Sequence, residues 1–263
     1  MKLPIHQIDA FTHERFKGNS AAVVPLERWL SDAQMQAIAM ENNLSETAFL
    51  LREPDGAFHV RWFSPLTEID FCGHATLASA FVLLDQGMAS SPLTFRAAAV
   101  GDISVAQLDD GRLEMNFPNR EPERVENPPA ALLEGLGVVP RAVLRNGQAW
   151  FAVYEDEDQV RRSTPDLAVL KSLAPLDVVI TAPGREQDFV SRYFWPANGG
   201  DEDPVTGSIH AGLAPYWAER LGKSSLVALQ ASRRSGLLYC RVEGERVFVA
   251  GHAVRYLQGT IEI

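Results

Sequence analysis

One pattern occurs twice in the chain, and this repeat constrains the fold more than any other feature. Residues 61–65 read Arg-Trp-Phe-Ser-Pro and residues 192–196 read Arg-Tyr-Phe-Trp-Pro, 131 positions apart in a chain of 263 residues. Each pentad leads through an acidic stretch to a glycine, Gly73 or Gly207, that opens a helical pattern. Self-similarity at about half of the chain length indicates two related structural units.

The pattern between the repeats predicts a mixed α/β fold. We place the first half at residues 1–117 and the second at 118–263, with the last strand allowed to cross back to the first half. Helices are predicted over 73–84, which is apolar on nearly every side and therefore enclosed, and over 207–221, which contains Pro215. Strands are predicted by alternation and by branched and aromatic residues. These strands cover residues 5–11, 21–24, 47–51, 58–63, 113–117, 150–154, 178–182, 237–242 and 247–249.

Local signals add detail to this outline. Asp55-Gly56 and Asp110-Gly111 are typical of hairpin turns. Ser31 with Gln34 forms a capping box that predicts a peripheral helix ending near Asn42. Residues 118–129 lack periodicity and are predicted to be a linker or loop.

Composition excludes several functional classes. The formal net charge of -10 argues against general binding to nucleic acid or to anionic membranes, and no apolar run reaches the roughly 20 residues that span a bilayer. Two cysteines without close spacing favour reduced thiols, so we expect a cytoplasmic protein. Nucleotide-binding motifs are absent and the six histidines show no metal-ligand spacing, so neither a cofactor nor a metal is predicted.

Glycine at a helix start leaves backbone N–H groups uncovered where the helix dipole places partial positive charge. If a pseudo-twofold relates the halves, Gly73 and Gly207 would face each other, and both sets of amides could bind one carboxylate. The alternative is that both glycines simply form tight turns between strand and helix. The repetition at both helices favours an anion site.

Glu46 is a candidate general acid and base. In a strand over residues 44–50, a period of two places Glu46 on the same face as Leu44, Ala48 and Leu50. Desolvation on an apolar face favours the neutral form of a carboxyl, which then both gives and takes a proton near neutral pH. The alternative is a glutamate at a strand end that faces solvent.

Three further polar residues lie near the two predicted helix starts. His74 is in the first turn of the first helix, where it either takes part in hydrogen bonding as a neutral imidazole or caps the helix in solvent. Asp203 precedes Pro204, which favours an extended conformation beside the second helix start. Ser208 is a helix cap, a substrate hydrogen-bond donor, or both.

These segments resemble the phenazine-biosynthesis PhzF-like family, within the diaminopimelate-epimerase-like superfamily, over essentially the whole chain. The matching segments are Ile8-Asp9-Ala10-Phe11 with Gly18-Asn19, Asn43-Leu44-Ser45-Glu46-Thr47-Ala48-Phe49, Phe71-Cys72-Gly73-His74-Ala75-Thr76, Glu202-Asp203-Pro204-Val205-Thr206-Gly207-Ser208, and Gly251-His252-Ala253-Val254 with Gly259.

The resemblance implies two similar halves, each a mostly antiparallel sheet curled around a central helix, with the active site between them and commonly a homodimer. It also implies isomerisation without a cofactor. In the phenazine enzyme, a glutamate at the position of Glu46 shuttles a proton during isomerisation of a dihydro-hydroxyanthranilate. The resemblance places His74, Asp203 and Ser208 in the site, with the amides of Gly73 and Gly207 holding the substrate carboxylate.

Two segments depart from the family pattern. Racemases of the superfamily use two opposed thiols, but only Cys72 is present here, since residues 203–206 contain no cysteine. A Gly-Arg-Pro-like segment of the family is replaced by residues 232–236, Ser-Arg-Arg-Ser-Gly. Cys72 and Cys240 are therefore interpreted as small buried residues.

The sequence thus predicts an isomerase of a small carboxylate, with Glu46, His74 and Asp203 as catalytic residues and Gly73, Gly207 and Ser208 as substrate-binding residues. Two alternatives remain at this point. One is a racemase or epimerase that uses Glu46 with another acid, and the other is a non-catalytic protein that binds a carboxylate. A buried carboxyl favours an enzyme, because binding alone does not require one.

Overall fold

The computed structural model describes residues 1–263, which divide into two compact units. Unit 1 comprises Met1–Asn116 and Ala250–Ile263, and unit 2 comprises Phe117–Val249. The chain therefore returns to unit 1 for its last strand. Both units are mostly strand with few helices, which confirms the predicted mixed α/β class.

The elements follow one another along the chain without long unstructured segments. The strands are β1 (Lys2–Ala10), β2 (Asn19–Leu26), β3 (Glu46–Arg52), β4 (Phe58–Phe63), β5 (Glu68–Ile69), β6 (Leu93–Ala97), β7 (Gly101–Gln107), β8 (Leu113–Pro118), β9 (Glu123–Arg124), β10 (Ala142–Arg145), β11 (Ala149–Val153), β12 (Asp177–Pro183), β13 (Phe189–Phe194), β14 (Glu202–Asp203), β15 (Ser225–Gln230), β16 (Gly236–Glu243), β17 (Arg246–Gly251) and β18 (Ala253–Glu262). The helices are α1 (Asp32–Asn42), α2 (Gly73–Asp85), α3 (Ala130–Leu136), α4 (Glu157–Arg162), α5 (Leu167–Leu170) and α6 (His210–Leu221).

The two units repeat one order of strand pairing. In unit 1, β2 pairs in parallel with β3, β3 pairs antiparallel with β4, and β4 pairs antiparallel with β5 and in parallel with β6. In unit 2, β11, β12, β13, β14 and β15 reproduce these relationships in the same order. Antiparallel pairs outnumber parallel ones in each unit. The internal repeat of the sequence is therefore a repeat of topology, as predicted.

Each unit builds its own hydrophobic core. The core of unit 1 includes Ile5, Val24, Met35 and Phe49, and that of unit 2 includes Leu132, Trp150 and Ile180. Helix α2 is buried along almost its full length, as its apolar sequence predicts. No helix of the structure combines the length and apolarity needed to cross a membrane.

The repeated pentads have the same structural role in both units. Arg61 in β4 makes a bidentate ion pair with Glu68 in β5 and stacks on Phe63, two residues farther along its own strand. Arg192 in β13 makes the same contacts with Glu202 in β14 and with Phe194. The pentad therefore ties the short strand before each helix to the sheet, which explains why the sequence repeats it.

The Arg192 ion pair is expected to stabilise its unit more than its counterpart does. Arg192 and Glu202 side chains are 14% and 22% exposed, so Glu202→Gln should cost about 2 kcal/mol of unfolding free energy. Glu68 is 42% exposed and Arg61 also binds Asp32, so the matched variant Glu68→Gln should cost about 1 kcal/mol or less. Chemical denaturation of both variants measures the difference, and equal losses would contradict this interpretation.

Helix α6 begins later than the sequence suggests. Residues 207–209 form a turn with hydrogen bonds three residues apart, and the α-helix begins at His210 instead of Gly207. Pro215 lies inside the helix and has no N–H for the carbonyl of Ala211, which accepts instead from the backbone N–H of Arg120 at 3.0 Å. The proline is tolerated because another segment supplies the missing donor.

The predicted helix cap, hairpin turns and strands are confirmed, and one predicted loop is wrong. The capping box of Ser31 and Gln34 begins α1, and the two Asp-Gly turns join antiparallel strands. All nine predicted strands are present, with ends that differ by a few residues. The segment 118–129 was predicted to be a linker or loop, but it contains the short strand β9, which pairs with β10.

Candidate active site

Glu46 is buried at the start of β3. The residue is 5% exposed and pairs in parallel with Ala21 of β2, so its side chain leaves the sheet on the buried face. Oε2 of the carboxylate lies 3.0 Å from Nε2 of His74. Oε2 is also fully buried and accepts no hydrogen bond of standard geometry, so the angle at this contact is not ideal. A buried carboxylate oxygen without a full set of donors is costly to maintain, which marks a position for chemistry.

The ring of His74 is held by hydrogen bonds from the opposite side. Nδ2 of Asn19 lies 3.1 Å from Nδ1 of His74, while Oδ1 of Asn19 accepts from the hydroxyl of Ser45 at 3.2 Å. With the Asn19 amide in this orientation, its Nδ2 donates to Nδ1 of His74. A neutral His74 in this arrangement carries its proton on Nε2, the ring nitrogen that lies beside Glu46.

This assignment predicts the tautomer of His74. Long-range proton–nitrogen NMR correlations should show the proton on Nε2, because Nδ1 accepts from Asn19. The variant Asn19→Ala removes that donor and should mix the two tautomers, whereas Glu46→Gln should leave the Nε2–H form in place. A proton found on Nδ1 in the unsubstituted protein would contradict the assignment.

The loop before β2 places Asn19 next to the helix. Gly18 has a φ of +64°, and a Cβ there would lie 2.1 Å from the carbonyl oxygen of Ala10, so only glycine fits. The carboxylate of Asp9 accepts from the backbone N–H of Phe16 at 2.9 Å and closes the same loop. These contacts explain why the segment contains Asp9, Ala10, Gly18 and Asn19 at these positions.

Cys72 directly precedes α2 and is 6% exposed. Its Sγ lies 3.4 Å from Nδ1 of His74. Ligand atoms of Glu46, Cys72 and His74 all lie within 4.8 Å of one another, a spacing that a metal ion could use. Both ring nitrogens of His74 already contact protein groups, Nε2 with Glu46 and Nδ1 with Asn19, so an ion bound here would have to displace one of these contacts.

The start of α2 carries the first of the two predicted glycines. Gly73 is the first residue of the helix, and Cys72 at the N-cap position makes no side-chain capping hydrogen bond. The helix start is thus not neutralised by a capping side chain of its own. This arrangement is compatible with anion binding there.

Asp203 lies in β14 of unit 2, extended as predicted for a residue before proline. The hydroxyl of Thr206 donates to Oδ2 of Asp203 at 2.5 Å. Gln230, which is fully buried, donates to the carbonyl of Asp203 and accepts from the backbone N–H of Thr206, both at 2.8 Å. The segment from Asp203 to Thr206 is therefore fixed by a buried amide at the end of β15.

The neighbouring segment 232–236, which departs from the family pattern, supports the same region. The hydroxyl of Ser232 donates to the carbonyl of Pro204 at 2.8 Å and accepts from the backbone N–H of Ser235 at 3.0 Å. Ser232 therefore supports the segment 203–206 through Pro204. Cys240 is buried and its thiol has a pKa well above the usual range because of desolvation.

Ser208 and Gly207 lie in the turn that precedes α6. The side chain of Gln148 donates from Nε2 to Oγ of Ser208 at 2.9 Å. Ser208 is half-buried, so part of its hydroxyl remains accessible. Glu68 and Glu202 occupy equivalent positions in the short strands β5 and β14. Four residues after them lie Cys72 in unit 1 and Thr206 in unit 2, and six residues after them lie His74 and Ser208.

Sequence reasoning did not single out Asn19, Gln148 or Gln230 as site residues. Asn19 belongs to a segment that carries the family resemblance, which is a usable signal. The two glutamines lie in or beside strands, and no local pattern separates them from ordinary polar residues. Their partners are 60 and 24 residues away in the chain, so only the tertiary structure identifies them.

Comparisons with known proteins agree with this architecture. A family model for phenazine biosynthesis-like proteins matches residues 8–259. An uncharacterized isomerase of Pseudomonas aeruginosa is 48% identical, with the whole of both chains covered, and its name agrees with the predicted enzyme class. A crystal structure of a PhzF-family phenazine biosynthesis protein from Enterococcus faecalis has a TM-score of 0.95 at 43% identity, with the whole of both chains covered.

A more distant structure shares the fold alone. A predicted epimerase from Pseudomonas aeruginosa has a TM-score of 0.76 at 24% identity, with 98% of this chain and 99% of that chain covered. The epimerase-like fold expected from the sequence is thereby confirmed. From the family match over nearly its whole length and the similarity to these relatives, the chain belongs to the PhzF-like family of phenazine biosynthesis-like proteins.

Proposed function

We propose that the protein is a cofactor-independent isomerase that moves a proton within a small carboxylate substrate. The observation that carries this proposal is the buried Oε2 of Glu46, which has no standard hydrogen bond and lies 3.0 Å from Nε2 of His74. A protein that only binds a carboxylate gains nothing from a second buried carboxyl, because the two negative charges repel each other. Proton transfer to and from carbon requires a general acid and base, and a buried carboxyl serves as one.

The proposed reaction is balanced without an added reagent. The carboxylate of Glu46 removes a proton from a carbon next to an electron-withdrawing group, and the electron pair of that C–H bond moves into the conjugated system. The protonated Glu46 then returns a proton to another carbon, which yields an isomer. The Nε2–H of His74 would hold Glu46 in place and stabilise its ionised form before the first transfer and after the second.

The residues of unit 2 have proposed roles in substrate positioning. Asp203 is rigidly held and would orient a polar group of the substrate, and the hydroxyl of Ser208 would donate to its carboxylate. The backbone amides of Gly73 and of Gly207 would each donate to an anionic group. These roles come from the family resemblance and from the local geometry of each residue.

A two-thiol racemase is disfavoured as the alternative function. The position that corresponds to Cys72 in unit 2 holds Thr206, whose hydroxyl donates to Asp203. A hydroxyl is a much weaker acid than a thiol, so it does not ionise near neutral pH to give a base for carbon deprotonation. A racemase that pairs Glu46 with a different acid would change the optical rotation of an amino-acid substrate.

The family resemblance supports assembly as a homodimer, which sedimentation velocity tests. The cysteine usage supports residence in the cytoplasm.

A screen for proton exchange tests the proposed function. Small unsaturated and aromatic carboxylic acids, including a dihydro-hydroxyanthranilate, are incubated with the protein in D₂O and followed by NMR. We expect at least one acid to gain deuterium at carbon in the presence of the protein. The proposal that the pathway is phenazine synthesis requires the dihydro-hydroxyanthranilate itself to react. Binding without exchange across the whole panel would favour the non-catalytic alternative.

A further inference from the structure

A chain of hydrogen bonds in unit 2 connects Ser208 to a buried carboxylate. The hydroxyl of Tyr193 lies 2.5 Å from Oδ2 of Asp177, and Nε2 of Gln148 lies 3.2 Å from that hydroxyl and 2.9 Å from Oγ of Ser208. Nδ2 of Asn198 donates to Oδ1 of Asp177 at 2.7 Å. Tyr193 is 4% exposed, whereas Gln148 and Asp177 are partly buried.

The direction of each hydrogen bond follows from the carboxylate at its end. Desolvation raises the pKa of the Asp177 carboxyl, whereas the hydrogen bonds from Tyr193 and Asn198 favour its ionised form, which only accepts. Burial raises the pKa of Tyr193, so the phenol keeps its proton and donates it to Asp177. The phenol oxygen then accepts from Gln148, which directs the NH₂ group of Gln148 toward both hydroxyls. Ser208 must accept from Gln148, and its own proton is therefore directed elsewhere.

We propose that Gln148 and Tyr193 are positioning residues that hold the Ser208 hydroxyl as an outward hydrogen-bond donor for the anionic group of the substrate. This inference rests on the proposed function, in which Ser208 binds a carboxylate. An isolated serine donates and accepts with equal ease. Here the chain from Asp177 selects the donor role, which favours an anion over a neutral hydrogen-bond donor.

Binding of two matched probes tests the inference. Anthranilate carries a carboxylate, and 1,2-phenylenediamine carries a neutral amino donor at the same ring position; isothermal titration measures the binding of both. The variants are Gln148→Met, which keeps the length of the side chain but donates no hydrogen bond, and Tyr193→Phe, which keeps the ring. We expect each to weaken anthranilate binding about tenfold or more, with phenylenediamine affinity changed less than about twofold.

A double-substitution cycle separates positioning from general damage to the fold. Ser208→Ala alone should weaken anthranilate binding to the same extent, and adding Gln148→Met to it should cause no further loss. Thr181→Val is the matched control, because it removes a buried hydrogen bond from Trp217 in the same unit without contact with Ser208. It should lower the melting temperature and leave anthranilate affinity unchanged.

The possible failures are distinguishable. Additive losses in the double variant, or equal losses for both probes, would show a general structural role and overturn the inference. If Ser208→Ala weakens anthranilate binding but Gln148→Met and Tyr193→Phe do not, the positioning chain is wrong and the proposed role of Ser208 stands. If neither the wild type nor any variant binds anthranilate, or Ser208→Ala binds it normally, the carboxylate site at Ser208 is wrong and the inference falls with it.

Discussion

Glu46→Gln is expected to lower turnover of the isomerised carboxylate by about 10²–10⁴-fold, the range typical for loss of a general acid or base. Glutamine has the same size and reaches the same position beside His74, but it exchanges no proton with carbon. The affinity for the substrate should change little, because the carboxylate of Glu46 is not a ligand for the anionic group. Steady-state kinetics and a separate binding measurement give the two quantities.

The matched control is Glu27→Gln, which neutralises an exposed glutamate directly after β2. It alters the net charge of the protein by the same amount without touching the buried cluster. Its turnover should equal that of the wild type. If Glu46→Gln and Glu27→Gln have the same activity, then Glu46 is a structural residue and another group transfers the proton.

The free energy of unfolding is expected to fall by about 3 kcal/mol between pH 6.5 and pH 4 because of His210 alone. This histidine is fully buried at the start of α6, and desolvation lowers its pKa to about 4. Nδ1 donates to the carbonyl of Thr206 at 2.9 Å, and Nε2 is buried without a hydrogen bond. The folded protein therefore keeps His210 neutral, whereas the unfolded chain takes up a proton below about pH 6.5.

The sign of this effect follows from proton binding. Because the folded-state pKa lies below the unfolded one, the contribution is fully present above pH 6.5 and is lost as the pH falls toward 4. Chemical denaturation at pH 7.5 and pH 4.5 measures it in the wild type and in His210→Asn, where the amide Nδ2 replaces Nδ1 as donor. The variant should be less stable at pH 7.5 but show a smaller decrease with pH. Parallel decreases in both proteins would contradict this role of His210.

Much of the fold could be predicted from the sequence because its signals are local or repeated. The pentads mark two units, and the alternating segments give strands such as β4 at their observed ends. Strands β6, β7, β13 and β15 were not predicted, although β6 alternates between apolar and polar residues. Its five residues are too few for alternation to be distinctive. The delayed start of α6 was missed, since a turn with three-residue hydrogen bonds and a helix have the same sequence preferences here.

The candidate site was predictable in part. Alternation in β3 predicts that Glu46 is buried, and the structure buries it. The contact between Glu46 and His74 has no sequence signature, because it depends on how α2 packs against β2 and β3. The amides of Asn19 and Gln230 are equally hidden, since each fixes a partner that is distant in the chain. Net charge is also a limited guide to a small-ligand site, because the overall charge of -10 is spread over the surface and screened by salt, whereas a helix start acts locally.

The central claim is that Glu46 transfers a proton to and from carbon, and solvent deuterium exchange tests it most directly. The substrate found in the screen is incubated in D₂O with the wild type and, in parallel, with Glu46→Gln at equal ligand saturation. The account predicts deuterium at carbon in the product of the wild type and none above background with Glu46→Gln. Full exchange in the Glu46→Gln variant would contradict it.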